Sequence, residues 1–276
     1  MRYVDAHNHA YDERFGGKSQ ELLRVCKTQG VGISIVNGAC PKDWDDVRQL
    51  ANSSQIVLPS FGVHPWYIND LPSDWFDTLV SFLNSTPSCI GEVGIDGWRK
   101  EFDPDLQEDI FIRQLVLASE QNLPISIHGL RRWGRLLEIL QRFPRPQCGF
   151  LLHSYGGPKE MVAAFTKLGG YFSCPGFFLK PGREMKLKVF EDIPADRLFL
   201  ETDAPDQNLP ENLDRYQLLS SIDQARINHP ANITAVYEGV ATLRETSVEK
   251  LAEQIERNFR ALFGEIWDAR AKGVTS

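Results

Sequence analysis

The chain has 276 residues, of which 42% are hydrophobic and 24% charged, a balance that excludes a disordered, collagen-like or small disulfide-scaffold protein. Its formal net charge of −7 argues against wrapping nucleic acid over a broad basic surface but leaves room for a local phosphate site. No apolar run approaches the roughly 18 residues that a membrane helix needs, and Met1-Arg2-Tyr3-Val4-Asp5 opens no secretory signal.

In chain order, short β-rich runs alternate with amphipathic stretches. Residues 3–6 form a first run, ending at His7 and His9, and residues 19–29 carry a helical pattern. Runs at 32–36 and 56–62 come next, the second leading into His64; residues 74–84 read as a helix, and the run 88–95 carries Glu92. Residues 105–121 repeat apolar positions at Ile110, Phe111, Leu115 and Ala118, the spacing of a helix with one buried face. Asp105 and Glu108 lie in its first turn, where carboxylates meet the positive end of the helix dipole. Runs 124–128 and 149–153 end at His128 and His153; a helical stretch at 159–168 and a run at 170–173 succeed them. The eighth run, 197–202, precedes Asp203, and the rest of the chain is mainly helical in pattern, including residues 248–263.

Eight apolar strands joined by helices make either a closed (β/α)8 barrel or a large doubly wound sheet. The chain lacks both the Gly-x-Gly-x-x-Gly turn and a Gly-Lys-[Ser/Thr] loop, which removes the usual support for a nucleotide fold. The reading is therefore α/β: a single TIM-type barrel domain over residues 1–276 with extra C-terminal helices. Cys26, Cys40, Cys89, Cys148 and Cys174 are scattered, with no Cys-x-x-Cys pair, which predicts free thiols and a cytoplasmic location.

Five of the six histidines, 7, 9, 64, 128 and 153, fall at or just past the end of a predicted strand, joined by Glu92 and Asp203. In a barrel these ends meet on one face, where such enzymes place their active sites. Because side chains alternate along a strand, Asp5, His7 and His9 share one face, and a His-x-His pair can grip one cation. Imidazole with carboxylate suits Zn, Mn, Fe or Ni, and carboxylate-rich sites also accept Mg. Four histidines and two acids (His7, His9, Glu92, His128, His153 and Asp203) exceed what one tetrahedral ion requires, and a carboxylate-bridged pair of divalent ions, Mg, Mn or Zn, accommodates them. Glu201 and Asp5 lie one layer below Asp203 and His7, placed to accept from a metal-bound imidazole or to form a plain structural ion pair.

His64, in Phe61-Gly62-Val63-His64-Pro65-Trp66, is a candidate for substrate contact or acid catalysis. His229, in Asn228-His229-Pro230, reads as surface or loop structure. Arg131 stands between a phosphate clamp and a solvated position, whereas Arg132 and Arg135 read as a solvated helix face balanced by Glu138; Arg183 is a further, remote phosphate candidate. Trp66, Tyr67, Trp98, Tyr155, Phe177 and Phe178 fall on predicted rim loops, where they would stack on unpaired bases or simply cover the barrel mouth. Among them Trp66 and Tyr155 are kept with Arg131 as substrate-binding candidates.

Taken in order, Asp5-Ala6-His7-Asn8-His9, Gly62-Val63-His64-Pro65, Gly91-Glu92-Val93-Gly94-Ile95-Asp96, Ile127-His128, Leu152-His153-Ser154 and Glu201-Thr202-Asp203-Ala204-Pro205 resemble the TatD family of metal-dependent deoxyribonucleases. Asn228-His229-Pro230-Ala231-Asn232-Ile233 and Asn258-Phe259-Arg260-Ala261-Leu262-Phe263 look like that family's C-terminal features. The resemblance implies a (β/α)8 barrel, two metal ions and phosphodiester hydrolysis, commonly from the 3′ end of DNA or RNA. It implies one ion on His7, His9, Glu92 and Asp203 and another on Glu92, His128 and His153, with Glu92 bridging and His64 beside the substrate phosphate. All six ligands are retained, but cleft-lining neighbours depart from the pattern. Gly97-Trp98 follows Asp96 in place of a tyrosine, Ser154-Tyr155-Gly156-Gly157 stands where Cys-Phe-Ser-Gly is usual, and Gly129-Leu130-Arg131 stands where Ser-Arg is usual.

The expected reaction is hydrolysis at phosphorus by a metal-activated water, with Asp203 taking its proton and Glu92 and His64 completing the catalytic set. The expected substrate is DNA, single-stranded or at a 3′ end, or another phosphodiester, with no membrane partner. The alternative is amidohydrolase-type cleavage of a small amide, lactone or nucleobase; Glu92 in place of the lysine that many such barrels carry on strand 4 favours phosphoester chemistry.

Overall fold

A computed structural model describes residues 2–273. Eight strands, β1 (Tyr3–Asn8), β2 (Val31–Asn37), β3 (Val57–Phe61), β4 (Cys89–Asp96), β5 (Ile125–Leu130), β6 (Phe150–Leu152), β7 (Gly170–Pro175) and β8 (Leu198–Glu201), form one sheet in sequential order. Adjacent strands run parallel, as in Val93↔Ile127 and Leu151↔Tyr171, and β1 packs against β8. With helices in every connection this is a TIM-type (β/α)8 barrel.

The helices are α1 (Ser19–Thr28), α2 (Trp44–Ser53), α3 (Trp75–Ser85), α4 (Pro104–Gln121), α5 (Trp133–Arg142), α6 (Val162–Lys167), α7 (Glu184–Asp192), α8 (Ile233–Leu243) and α9 (Val248–Gly273). The α4 helix starts where its chemistry says it should: Asp103 accepts from the Asp105 N–H, and Pro104 occupies the first turn. It ends at Asn122, whose φ of 50° is left-handed. A two-stranded antiparallel hairpin, β9 (Leu218–Leu219) and β10 (Arg226–Ile227), precedes α8. It escapes a reading by periodicity because each strand is two residues long.

Strand ends differ from the sequence-based expectation where the ladder outruns the apolar run. The β4–β5 pairing continues through Ile95↔Gly129 and Asp96↔Leu130, so His128 lies inside β5 and not at its end. The β1 strand likewise extends through His7 to Asn8. The β6 strand stops at Leu152, which leaves His153 as the first residue beyond it.

Contacts group the chain into two compact units: Met1–Val36, Gln49–Leu58 and Ser173–Phe259 in the first, Asn37–Arg48, Pro59–Phe172 and Arg260–Ser276 in the second. In the first, Val4, Leu200, Val236 and Phe259 are fully buried. The Tyr237 hydroxyl there accepts from the Val4 N–H and donates to the Val4 carbonyl, both at 3.1 Å, so a buried phenol finds its partners on β1. Asn258 donates to the Ala195 and Leu198 carbonyls, each at 2.8 Å, tying the C-terminal helix to the start of β8. In the second unit Trp44, Phe61 and Phe82 stack edge to face with centroids 5.2–6.5 Å apart. Gln114, fully buried on α4, accepts from the Val63 N–H at 2.8 Å and donates to its carbonyl at 3.3 Å, which fixes the loop that carries His64.

Candidate metal centre

In the first unit His7, on β1, is fully buried, and its Nε2 lies 3.3 Å from His9 Nε2. Asp203 Oδ1 stands 3.8 Å from His7 Nε2 and 3.5 Å from His9 Nε2. The backbone sets this spacing: the Asp203 N–H donates to the His7 carbonyl at 3.0 Å, and the His9 N–H donates to the Ala204 carbonyl at 2.7 Å. Asp203 sits at φ 52°, a left-handed geometry that Asp tolerates better than most residues and that is common at functional sites. Its second oxygen accepts from Gln207 Nε2 at 2.6 Å. Gln207 carries no motif, and nothing in the sequence singles it out.

Asp5 lies below this trio. It accepts from the Thr202 N–H (2.9 Å), the Thr202 hydroxyl (2.7 Å) and Asn8 Nδ2 (3.0 Å). Burial pushes its carboxyl up to about 7 against the lowering pull of the Thr202 bonds. Its bonds thus run to β8 and to Asn8, so Asp5 fixes the β1–β8 register beneath the histidines. Glu201, fully buried, accepts from the Ser173 hydroxyl at 2.5 Å.

In the second unit three imidazoles converge on one carboxylate oxygen. Glu92 Oε1 lies 2.8 Å from His153 Nε2, 3.0 Å from His128 Nδ1 and 3.4 Å from His64 Nε2. Ligand atoms of His64, Glu92 and His128 fall within 4.8 Å of one another. Gly94 makes the β4–β5 approach that brings them together: its φ is 143°, and a Cβ there would sit 2.0 Å from the His128 carbonyl oxygen. Only glycine lets the two strands close.

The histidines differ in their proton positions. His128 Nε2 faces Asp96 Oδ2 at 2.9 Å, so the proton on that nitrogen is donated to the carboxylate and the Nδ1 lone pair points at the cluster, the arrangement of a metal-binding imidazole oriented from behind. Burial would lower the His128 imidazole, but Asp96 and Glu92 outweigh it and raise it. Asp96, resisting the upward push of burial, is held down at about 2 by the His128 bond and charge. In His64, Nδ1 accepts from the Trp66 N–H at 3.1 Å, leaving the proton on Nε2, so His64 presents a donor. A donor set of imidazole nitrogen and carboxylate oxygen, with lone pairs crowded around a common point, fits a divalent cation of the Zn or Mn type and accepts Mg through its carboxylates.

Sequence reasoning assigns Asp96 no role, although a signal is present. Glu92 and Asp96 are four residues apart on one strand and so share a face, the same parity that pairs Asp5 with His7 and Glu201 with Asp203.

Several candidates are placed elsewhere. Tyr155 is fully buried: it packs on Trp133 and Phe172 and donates its hydroxyl to the Pro158 carbonyl at 2.8 Å. It therefore anchors the β6 loop from inside and offers no face to a ligand. Arg132 and Arg135 do not face a phosphate site; both bind Glu108 on α4, at 2.6 and 2.8 Å, and Arg135 also binds Glu138 at 2.8 Å. Arg131 is exposed directly after β5, at φ 59°. Trp66 is half-buried, its Nε1 donating to Asp96 at 2.9 Å. His229 is not a surface residue: it is 6% exposed, and its Nδ1 accepts from the Ala231 N–H at 2.9 Å at the start of a short 3-10 turn. Burial drives its imidazole down to about 4, with Asp214 pulling weakly the other way.

Residues 4–264 match the family model described as TatD related DNase. The chain belongs to the TatD family. It is a metal-dependent hydrolase. Among curated relatives, the 3′-5′ ssDNA/RNA exonuclease TatD of Pantoea vagans is 28% identical over 257 residues, covering 91% of this chain and 95% of the relative. The uncharacterized metal-dependent hydrolase YjjV of Escherichia coli is 26% identical over 265 residues, covering 95% and 98%. The crystal structure of E. coli YjjV superposes with a TM-score of 0.85 at 25% identity over 95% of this chain and 98% of that one. A TatD family hydrolase from Entamoeba histolytica shares the fold, with a TM-score of 0.83 at 20% identity, covering 95% of this chain and 98% of that one. No helix among the described residues is long and apolar enough to cross a membrane.

Proposed function

We propose that this TatD family hydrolase is a two-metal phosphodiesterase that removes nucleotides from the 3′ end of single-stranded DNA. Convergence of His153 Nε2 and His128 Nδ1 on Glu92 Oε1, at 2.8 and 3.0 Å, carries the reading, because imidazole nitrogens and a carboxylate gathered this way form a ligand set for a divalent cation. The activity printed for the P. vagans relative supports the substrate class, and the match over residues 4–264 supports treating the chain as one hydrolase domain. The five free thiols, four of them buried, support a cytoplasmic setting.

His7, His9 and Asp203 would hold one ion, and Glu92, His128 and His153 the other. Bound divalent ions, Mg, Mn or Zn, supply neutralisation of the phosphoryl charge and a water of lowered pKa. Asp203, with one oxygen anchored by Gln207, accepts the proton of the attacking water. His64 presents Nε2–H as a donor and passes its proton to the departing 3′ oxygen. Asp96 holds the His128 ring in the orientation that directs Nδ1 inward. An exonuclease needs to grip only one strand end, which a chain of net charge −7 can do without a basic wrapping surface.

The test is digestion of a 5′-labelled single-stranded oligonucleotide by protein loaded separately with Mg, Mn and Zn, beside Glu92→Ala. A ladder that shortens from the 3′ end, lost in the variant while its fold is retained by circular dichroism, is the expected result. Intact DNA with every metal, from protein shown to bind two ions per chain, would overturn the substrate assignment.

A further inference from the structure

One carboxylate ties a pair of tryptophans to the candidate metal centre. Asp96 Oδ2 accepts from both His128 Nε2 and Trp66 Nε1, each at 2.9 Å, while Oδ1 accepts from the Trp98 N–H at 2.6 Å. The residue that aims the His128 ring therefore also fixes the Trp66 ring and the turn carrying Trp98. The rings step outward from the cluster: His128 to Trp66 is 6.3 Å between centroids, and Trp66 to Trp98 is 6.0 Å at 49°. The Arg99 guanidinium lies 4.5 Å over the Trp66 ring, a cation–π contact that closes that face and adds positive charge. Trp98, the outermost ring, is 50% exposed.

A half-exposed indole adds little to the core, yet its backbone is held by a charge-assisted bond to the carboxylate that orients a ligand histidine. That combination of exposed π-face, neighbouring cation and fixed offset from a phosphoryl-binding cluster is the chemistry that receives an unpaired base. We propose that Trp98, braced by Trp66 and Arg99, is the stacking surface for a nucleobase of the strand whose phosphodiester lies at the His64–Glu92–His128 cluster. The proposal rests on the nuclease reading and narrows it: the ligand is a base-bearing single strand, and a paired base, already stacked in its duplex, is a poor occupant. Trp66 and Asp96 are positioning residues. Trp98 sets specificity.

The experiment compares wild type, Trp98→Ala and Trp98→Phe on two 5′-labelled single strands of equal length, one ordinary and one abasic at its last three nucleotides. Stacking contributes equally before and during reaction, so its loss appears in KM with kcat unchanged. Trp98→Ala is expected to raise KM about 5- to 100-fold on the ordinary strand. It should leave the abasic strand within about twofold, and Trp98→Phe should restore most of the loss. Fluorescence anisotropy with the metal chelated reads the same preference without cleavage, Trp98→Ala binding the ordinary strand no better than the abasic one. An unchanged KM for Trp98→Ala, or an equal rise on both strands, overturns the stacking role while the nuclease reading stands. Failure of the wild type to cleave either strand removes the nuclease reading, and the proposal falls with it.

Discussion

Replacing Asp96 with asparagine keeps its volume and removes one property, the capacity to accept on both oxygens. Asp96 receives four N–H donors, two on Oδ2 and two on Oδ1, at 2.6–3.4 Å. An asparagine has one acceptor oxygen and one donor amide, so in either orientation its NH2 group faces at least one N–H. A buried donor left without an acceptor costs about 1–3 kcal/mol, which sets the expected loss in folding free energy from urea titration followed by fluorescence. The functional effect is separable. The His128 ring loses the carboxylate that fixes its tautomer, and loss of such partners typically costs about 10- to 100-fold in metal affinity or activity. Competition with a chromophoric chelator reads that affinity directly, and Asp96→Glu tests whether charge without placement suffices. An Asp96→Asn protein that is destabilised as expected but binds metal as tightly as wild type would refute the claim that Asp96 acts through His128.

Two further outcomes are expected. His229 titrates near 4 in the folded chain because of its burial, against about 6.5 when unfolded. The unfolded state thus takes up the proton first as pH falls, and stability present above about 6.5 drains away towards 4. By pH 5 the loss is about 2 kcal/mol relative to pH 7.5. His229→Asn keeps an acceptor for the Ala231 N–H and should flatten the pH dependence of the urea midpoint by that amount; an unchanged slope would show that His229 does not carry it. Tyr155→Phe removes only the bond to the Pro158 carbonyl and should lower stability by about 1 kcal/mol with no change in KM on single-stranded DNA. A raised KM would return Tyr155 to the substrate surface.

Much of the site was legible because both β-geometry and barrel topology convert sequence spacing into position. Alternation along β1 puts Asp5, His7 and His9 on one face, His64, His128 and His153 each fall where an apolar run ends, and Glu92 lies within the run 88–95. The same parity marks Asp96, four residues after Glu92, as a member of that strand's inward face. Gln207 had no such signal: it reaches Asp203 across an irregular turn in which both residues are left-handed, at φ 49° and 52°, and which periodicity does not describe. The α8 helix is apolar on nearly every side, with seven buried residues, so it showed no amphipathic face.

Residue types and their order along the chain thus determined the barrel, its strand count and which residues stand as candidate ligands, because these come from local alternation and from motifs read in one dimension. Burial and partnership were decided only in three dimensions. Tyr155 and His229 look like loop residues in sequence, yet the packing of Trp133 and Phe172 encloses the first, and the Ala231 turn captures the second. Arg132 and Arg135 read as a solvated face balanced by Glu138, until Glu108, more than twenty residues away on α4, takes both. The proton on His64 was likewise invisible in the sequence, since it depends on which backbone N–H the folded chain brings to Nδ1. A side chain's chemistry is written in its own residue, but the direction in which it acts belongs to its neighbours.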